Sequence, residues 1–344
     1  MSDLPVGAAY RGATAEALER ARREAGPAYK PTVFNPSTVS KKGLLRVAKD
    51  RVDAQHSLDG QPGFNIWYEL HGTGPKRIAF IMGLNNSCFG WLSQVEEFGA
   101  NPEYSVLVLD NRGYGNSEAP KTRYKTSEFA ADVLEVFQEI GWTQERSINL
   151  VGVSMGGMIA LELARTRPEL FRTLLLQSTT AGDNHNLPPF LGLRAIALSL
   201  TEQVVGIGAA ENRVYRLIDV LFPSEWQDAK SEVDPSRTNR EVIRALFMWR
   251  FQFVQLPSTH GALSQIAAAL THHVPAEELA KINDNIPKIK ILTGNWDQLV
   301  NIKHSKYMRE KMPNAEYEEW DGAGHAVHVQ YPERFNALLR NFVQ

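Results

Sequence analysis

The chain has 344 residues, 43% of them apolar and 22% charged, and a net charge of −2, the profile of a soluble globular protein able to fill a sizeable core. Without a basic run there is no electrostatic footprint for nucleic acid, and the single cysteine, Cys88, excludes an internal disulfide framework and fits a reducing compartment. The sequence opens without a charged and then apolar leader and contains no apolar run of membrane-spanning length, so a cytoplasmic protein with no membrane span is expected.

Residues 1–42 read as an N-terminal extension. The Ala/Glu/Arg-rich stretch from Ala13 to Glu24 suits one helix, and Pro27, Pro31 and Pro36 break up the segment beyond it. Leu44 to Ala54 and Phe64 to Leu70 flank the turn residues Leu58 to Gly63 and are expected to pair antiparallel at a sheet edge. Short apolar runs come next at Arg77 to Met82, Tyr104 to Asp110, Ser147 to Ser154 and Arg172 to Gln177. Their near-continuous Ile, Val and Leu character is what parallel strands covered on both faces require. Helical patterns at Phe89 to Phe98, Thr126 to Ile140 and Met155 to Arg165 separate them, the last ending before Pro168.

From Gly182 to about Leu256 the alternation ceases and the chain becomes helical by composition and rich in aromatic residues. Phe247, Trp249, Phe251 and Phe253 alternate there at period two. A helix from about Thr259 to His272 comes next, then a strand from Lys288 to Thr293, a helix from Ile302 to Lys311 and a strand from Ala315 to Trp320. A last helix opens at Pro332, where a proline loses no hydrogen bond. The expected fold class is α/β: a mostly parallel, doubly wound sheet formed by residues 43–181 and 257–344, with residues 182–256 inserted as a helical cap.

The most informative stretch is Leu150 to Gly157, L-V-G-V-S-M-G-G, in which an apolar strand runs through Gly152-Val153-Ser154-Met155-Gly156 into a helix. This is the pattern of a nucleophile elbow. A serine hydroxyl is a poor nucleophile at neutral pH. The turn lifts it out of the secondary structure beside the open N–H groups of a helix start, and glycines at both flanks avoid Cβ collisions as the chain doubles back. Two further loops supply an acid and a base. The strand ending at Thr293 runs into Gly294-Asn295-Trp296-Asp297, and the strand ending at Trp320 runs into Asp321-Gly322-Ala323-Gly324-His325. One helix and one strand separate Asp297 from His325, so both emerge at the carboxyl edge of neighbouring parallel strands, the edge at which Ser154 also emerges and where open α/β sheets bind ligands.

Other reactive side chains have plainer readings. His328 is read as a residue on the approach to the last helix, and Asp110 with Arg112 and Ser117 as a network stabilising a turn. Cys88 is read as a small packing residue. His71, His185, His260, His272 and His273 have no partners at ligand spacing, so no metal is expected, and no cofactor. Arg194, Arg213, Arg216 and Arg250 lie in the cap and form no evident anion clamp, although they could turn inward.

Four motifs, G-V-S-M-G, D-N-R-G-Y-G-N-S from Asp110 to Ser117, G-N-W-D and G-A-G-H, together resemble those of the α/β-hydrolase superfamily, over roughly residues 43 to 344. The resemblance is to its lid-bearing serine hydrolases, among them enol-lactonases and methylesterases. It implies a Ser154, Asp297, His325 triad that cleaves a small carboxylic ester or lactone through an acyl-enzyme, with C–C bond hydrolysis or acyl transfer as alternatives and a triad-retaining receptor as a third. It also implies an oxyanion hole made by the backbone N–H groups of Leu84 and Met155. In this chain Met82-Gly83-Leu84 replaces the His-Gly pair that many members carry there. Some relatives place the acid near Asp183 instead. A cap forms one wall of the pocket in this family, so Asn85, Phe190, Phe247, Trp249 and Trp296 are the candidate substrate-binding residues of a largely apolar pocket.

Overall fold

The central strands form where apolar residues run without interruption and are covered on both faces, whereas the two edge strands carry polar, partly exposed residues. The computed structural model describes residues 30, 32–51, 60–182, 188–194, 197–198, 210–255 and 257–344. Strands β1 (Val39–Val47), β2 (Phe64–His71), β3 (Lys76–Ile81) and β4 (Tyr104–Leu109) are followed by β5 (Ile148–Val153), β6 (Phe171–Gln177), β7 (Lys288–Gly294) and β8 (Glu316–Trp320). They make one sheet in the order β1-β2-β4-β3-β5-β6-β7-β8. The β1–β2 and β2–β4 pairs are antiparallel and every other pair is parallel. This is the expected mostly parallel, doubly wound sheet with an antiparallel edge.

Helices α1 (Leu92–Gly99), α2 (Thr126–Glu139) and α3 (Met155–Thr166) connect the first parallel strands. The six residues of β4 and the six of β5 are all buried, and successive side chains point to opposite layers. Leu150 and Leu174 pack with Phe129 and Val133 of α2 and Ile159 of α3. Their neighbours Val151 and Leu175 pack with Val95 and Phe98 of α1. Each such side chain contributes about 1.5–3 kcal/mol.

Between β6 and β7 lie α4 (Ala210–Leu221), α5 (Ser224–Asp228), α6 (Asn239–Phe251), α7 (Thr259–Leu270) and α8 (Ala276–Asn285), and after β7 come α9 (Ile302–Lys311), α10 (Val327–Gln330) and α11 (Pro332–Phe342). A capping box opens α6. Thr238 Oγ1 accepts from Glu241 N at 3.3 Å, and Glu241 Oε2 accepts from Thr238 N at 2.7 Å.

Several elements differ from expectation. β1 begins at Val39, paired with His71, and ends at Val47 because Ala48 adopts φ 62°. Leu44 to Ala54 is therefore not the strand, and residues 52–59 lie outside the described set. Val33 and Phe34 are fully buried, and Phe34 meets the His71 and Phe89 rings edge-on at 5.1 and 5.5 Å, so core packing starts before residue 43. The helix expected at Ala13 to Glu24 lies outside the described residues. Helix α8 has no counterpart among the expected elements. Pro275 precedes it, Glu277 and Glu278 occupy its first turn, and Leu279 and Ile282 are its buried face.

The turn after β4 is tied as expected, with one change of partner. Asp110 Oδ1 accepts from Ser87 Oγ and Cys88 N, both at 2.8 Å, and Oδ2 accepts from Asn116 N at 2.8 Å. Ser117 Oγ donates to Asp110 O at 2.5 Å. Arg112 reaches α2 instead, donating to both Asp132 oxygens at 2.7 Å beneath the Phe64 ring, which lies 4.7 Å from the guanidinium. Replacing Arg112 by Met leaves Asp132 buried with a diminished partner set. It is expected to cost about 3–5 kcal/mol, read as a lower denaturant midpoint at unchanged slope; a loss under about 1 kcal/mol would remove this pair from the forces holding the turn.

Candidate active site

The sheet order sets where a site forms. From β3 the chain goes to β4 on one side, and from β4 it crosses back to β5 on the other, so the crevice lies at the carboxyl ends of β3 and β5. Ser154 stands at that point between β5 and α3 with φ 55° and ψ −124°, a region that costs a non-glycine residue about 1–3 kcal/mol. Its surroundings impose this conformation. A Cβ on Gly152 would sit 2.4 Å from Gly156 O, and one on Gly156 would sit 2.1 Å from Ile81 O at the end of β3. The Ser154 backbone is held by Ser154 N donating to Gln177 O at 2.9 Å and Thr179 Oγ1 donating to Ser154 O at 2.6 Å. The hydroxyl does not cap α3 and faces the cavity.

The Asp297 and His325 loops are locked to each other. A Cβ on Gly294 would lie 2.2 Å from Ala323 O, and Trp296 N donates to Ala323 O at 2.9 Å. Gln330 ties the His325 loop from behind, accepting from Gly324 N at 2.7 Å and donating to Gly322 O at 2.8 Å. His325 Nδ1 donates to the two Asp297 oxygens at 2.9 and 2.8 Å. Asp297 Oδ1 also accepts from Leu299 N at 2.8 Å and Val300 N at 2.9 Å. The Asp297 side chain is wholly buried, so these four bonds replace its lost hydration. With Nδ1 donating, Nε2 is the imidazole's acceptor. Helix α4 reaches the same loop, since His325 N donates to Leu221 O, its last residue, at 3.0 Å.

Ser154 and His325 line one cavity of about 730 Å³, and so do Leu84, Met155, Asn85 and Phe247. Gly83 brings the loop after β3 against the serine: a Cβ there would lie 3.1 Å from Ser154 Cβ and 3.6 Å from its Oγ. Asn85 has φ 46° and donates its N–H to Gln265 Oε1 at 2.8 Å. Helix α3 starts at Met155, where N–H groups have no helical acceptor.

Three candidates for substrate contact do not line the cavity. Phe190 is 77% exposed, Trp249 packs on the Phe253 ring at 5.3 Å, and Trp296 stands beside the acid loop outside the cavity wall. The reason in α6 is geometric. Two residues turn a helix by about 200°, so Trp249 opposes Phe247, whereas Phe251, one turn beyond Phe247, joins it in the wall. The period-two alternation of aromatics is thus a helix with two faces. Arg194 is exposed, but Arg213, Arg216 and Arg250 do turn inward to the cavity.

The competing groups are placed too. His328 lies in the cavity wall on the Trp91 ring, 4.3 Å between centroids, with Gln177 Nε2 donating to its Nδ1 at 3.0 Å. Burial first, then Arg250 and His325, hold its pKa down to about 3, so it is a neutral ring. Burial pushes the Cys88 thiol well above its ordinary range, which keeps it an unreactive packing residue. Asp183 and His185 lie outside the described residues. Among the described residues no three His, Cys, Asp or Glu side chains gather as a metal ion needs.

A buried parallel sheet with a strained serine at its crevice and an aspartate-bound histidine on the same cavity defines a hydrolase architecture. The chain belongs to the alpha/beta hydrolase fold family, whose model matches residues 76–332. Among curated proteins it is 27% identical over 281 residues to the "Putative carbamate hydrolase RutD" of Stutzerimonas stutzeri, covering 79% of this chain and 94% of that one. Among solved structures it is similar to a thermophilic esterase from Thermogutta terrifontis (TM-score 0.67, 20% identity, 88% and 98% coverage). It is also similar to the enol-lactonase from Burkholderia xenovorans (TM-score 0.64, 19% identity, 81% and 96% coverage). No helix among the described residues is long and apolar enough to cross a membrane.

The packing at the elbow generates one expectation that requires no substrate. Gly156→Ala drives a methyl into Ile81 O and is expected to cost at least about 1–3 kcal/mol, read as a lower thermal midpoint. A midpoint equal to that of the parent would mean that the elbow has slack.

Proposed function

We propose that this protein is a serine hydrolase that cleaves a carboxylic ester or lactone of a small molecule through an acyl-enzyme intermediate. The observation that carries the reading is the buried Asp297–His325 pair, bonded at 2.9 and 2.8 Å, on the same cavity as a serine held in a strained turn. In this mechanism His325 Nε2 takes the Ser154 proton as Oγ attacks the acyl carbonyl. The imidazolium that forms is stabilised by Asp297, protonates the leaving group, and the neutral ring then activates water for deacylation. The oxyanion is met by the N–H groups of Leu84 and Met155, each such donor being worth on the order of 10²- to 10³-fold in rate.

The insertion at 182–256 acts as the cap, with α4 and α6 forming the far wall, and Phe247 and Phe251 give that wall an apolar body for the acyl or alcohol part. A relative bears the name "Putative carbamate hydrolase RutD", and a carbamate presents a related acyl carbonyl, so carbamates belong in any substrate panel. A single buried cysteine suits a cytoplasmic setting.

A fluorophosphonate probe is expected to label the parent protein and to leave Ser154→Ala unlabelled; labelling that persists in the variant overturns the assignment of the nucleophile. On p-nitrophenyl esters and aliphatic lactones, Asp297→Asn is expected to lower kcat by up to about 10⁴-fold, the loss seen when a serine triad keeps its geometry but not its tautomer. Near-parental turnover in that variant would move the acid to another residue.

A further inference from the structure

We propose that Gln265, on α7, is a positioning residue of the oxyanion hole, its side-chain amide holding the loop after β3 so that Leu84 N–H points at the developing oxyanion. The inference rests on the hydrolase reading and adds to it a residue outside the cavity wall. Gln265 is 1% exposed and is not among the residues that line the cavity. Its Oε1 accepts from Asn85 N at 2.8 Å, and its Nε2 donates to Arg112 O at 2.7 Å. A main-chain N–H only donates and a carbonyl only accepts, so the two partners assign both ends of the amide.

The effect on Leu84 follows from successive peptide planes. Each plane is rigid, and neighbouring planes turn only about the two bonds of the Cα between them. Asn111 Nδ2 donates to Met82 O at 2.9 Å, which holds the plane joining Met82 to Gly83. Gln265 holds the plane joining Leu84 to Asn85, through Asn85 N. The plane that carries Leu84 N–H lies between these two, so its direction is set from both sides. Beyond it Asn85 turns through φ 46°, and Asp110 Oδ1 fixes the far end of the loop by accepting from Ser87 Oγ and Cys88 N, both at 2.8 Å.

Both pins trace to one turn. Asn111 and Arg112 are neighbours after β4, and α7 is seated on that same turn: a Cβ on Gly261 would lie 2.5 Å from Gly113 O, and His260 Nε2 donates to Pro120 O at 3.1 Å. Gln265 stands four residues after Gly261 on α7 and so shares its buried face. The close approach at Gly261 therefore delivers the amide to the gap between the turn and the loop.

This arrangement spends Asn85 N–H on Gln265, which leaves the proposed hole with the N–H groups of Leu84 and Met155. Such donors act because they are placed before charge develops, and they need to be held within about 0.5 Å of the productive geometry. Without the amide, the Leu84–Asn85 plane loses its pin and Leu84 N–H loses its aim. Ground-state binding to the apolar wall is not altered, so the loss falls on kcat and not on KM.

The test uses two variants. Gln265→Met keeps the volume and removes both bonds, and Gln265→Asn keeps the polar group on a stem one methylene shorter, which cannot span Asn85 N and Arg112 O together. Titration with a fluorophosphonate counts reactive Ser154, so turnover is expressed per competent site. On the p-nitrophenyl ester that the parent cleaves fastest, both variants are expected to lose about tenfold to hundredfold in kcat per site, part of what one donor supplies, with KM within about threefold of the parental value. An alkyl trifluoromethyl ketone, whose adduct on Ser154 carries the oxyanion, is expected to bind more weakly by a similar factor. The pH midpoint of kcat/KM is expected to stay at the parental value, because the Asp297–His325 pair is untouched. A residue that only stabilises the fold lowers the number of titrated sites and leaves turnover per site unchanged; that result overturns the positioning role and leaves the hydrolase reading standing. If Gln265→Met does not fold, Gln265→Asn decides by the same measure. A parent protein that cleaves no ester and is not titrated at Ser154 overturns both.

Discussion

Backbone contact closer than any side chain allows is the constraint on which the site depends. At the turn after β5, α3 approaches the end of β3 so nearly that a methyl at Gly156 meets a carbonyl at 2.1 Å, and the Asp297 and His325 loops touch through Gly294 and Ala323 at 2.2 Å for the added Cβ. Turns this tight leave the chain no room to relax, so Ser154, Asp297 and His325 are aimed by the fold and not by their own preferences. The strain at Ser154, about 1–3 kcal/mol, is offset by the all-buried strand that feeds it. Small residues around Ser154, Asp297 and His325 are therefore part of how those side chains are oriented.

Much of this was legible in the sequence, because the signals were local. An apolar strand that runs into G-V-S-M-G specifies a strand, a sharp turn and a helix together, and the G-N-W-D and G-A-G-H loops each follow a strand in the same way. The parts that were not legible depend on which face of an element is covered. Phe247, Trp249 and Phe251 read as an alternation until the helix is known; then spacing alone separates the two cavity residues from the one that packs on Phe253. Helix α8 carried a proline and acidic start that local signals could have found. The inward turn of Arg213, Arg216 and Arg250 had no local signal, because a cationic side chain on a surface helix faces water unless a neighbouring layer covers it. His328 belongs to the same class: adjacency to His325 in sequence says nothing of the Trp91 ring that buries it.

The charges in the cavity divide between the two layers that form it. On the sheet side, Asp297 is compensated by two backbone N–H groups and the imidazole, and His328 stays neutral. On the insertion side, the lining cations are arginines. On the proposed reading, proton transfer lives on the sheet, and α4 and α6 form the wall that faces it.

One atom breaks that division. Leu221 O, at the end of α4, accepts the His325 N–H at 3.0 Å, and Gly324 lies so close that a Cβ there would meet the same oxygen at 2.0 Å. A rigid-body shift of α4 therefore changes the loop that presents the imidazole as well as the face that carries Arg213 and Arg216. Helix α4 and the His325 loop are joined there by a hydrogen bond between two main chains, which no side-chain substitution removes directly.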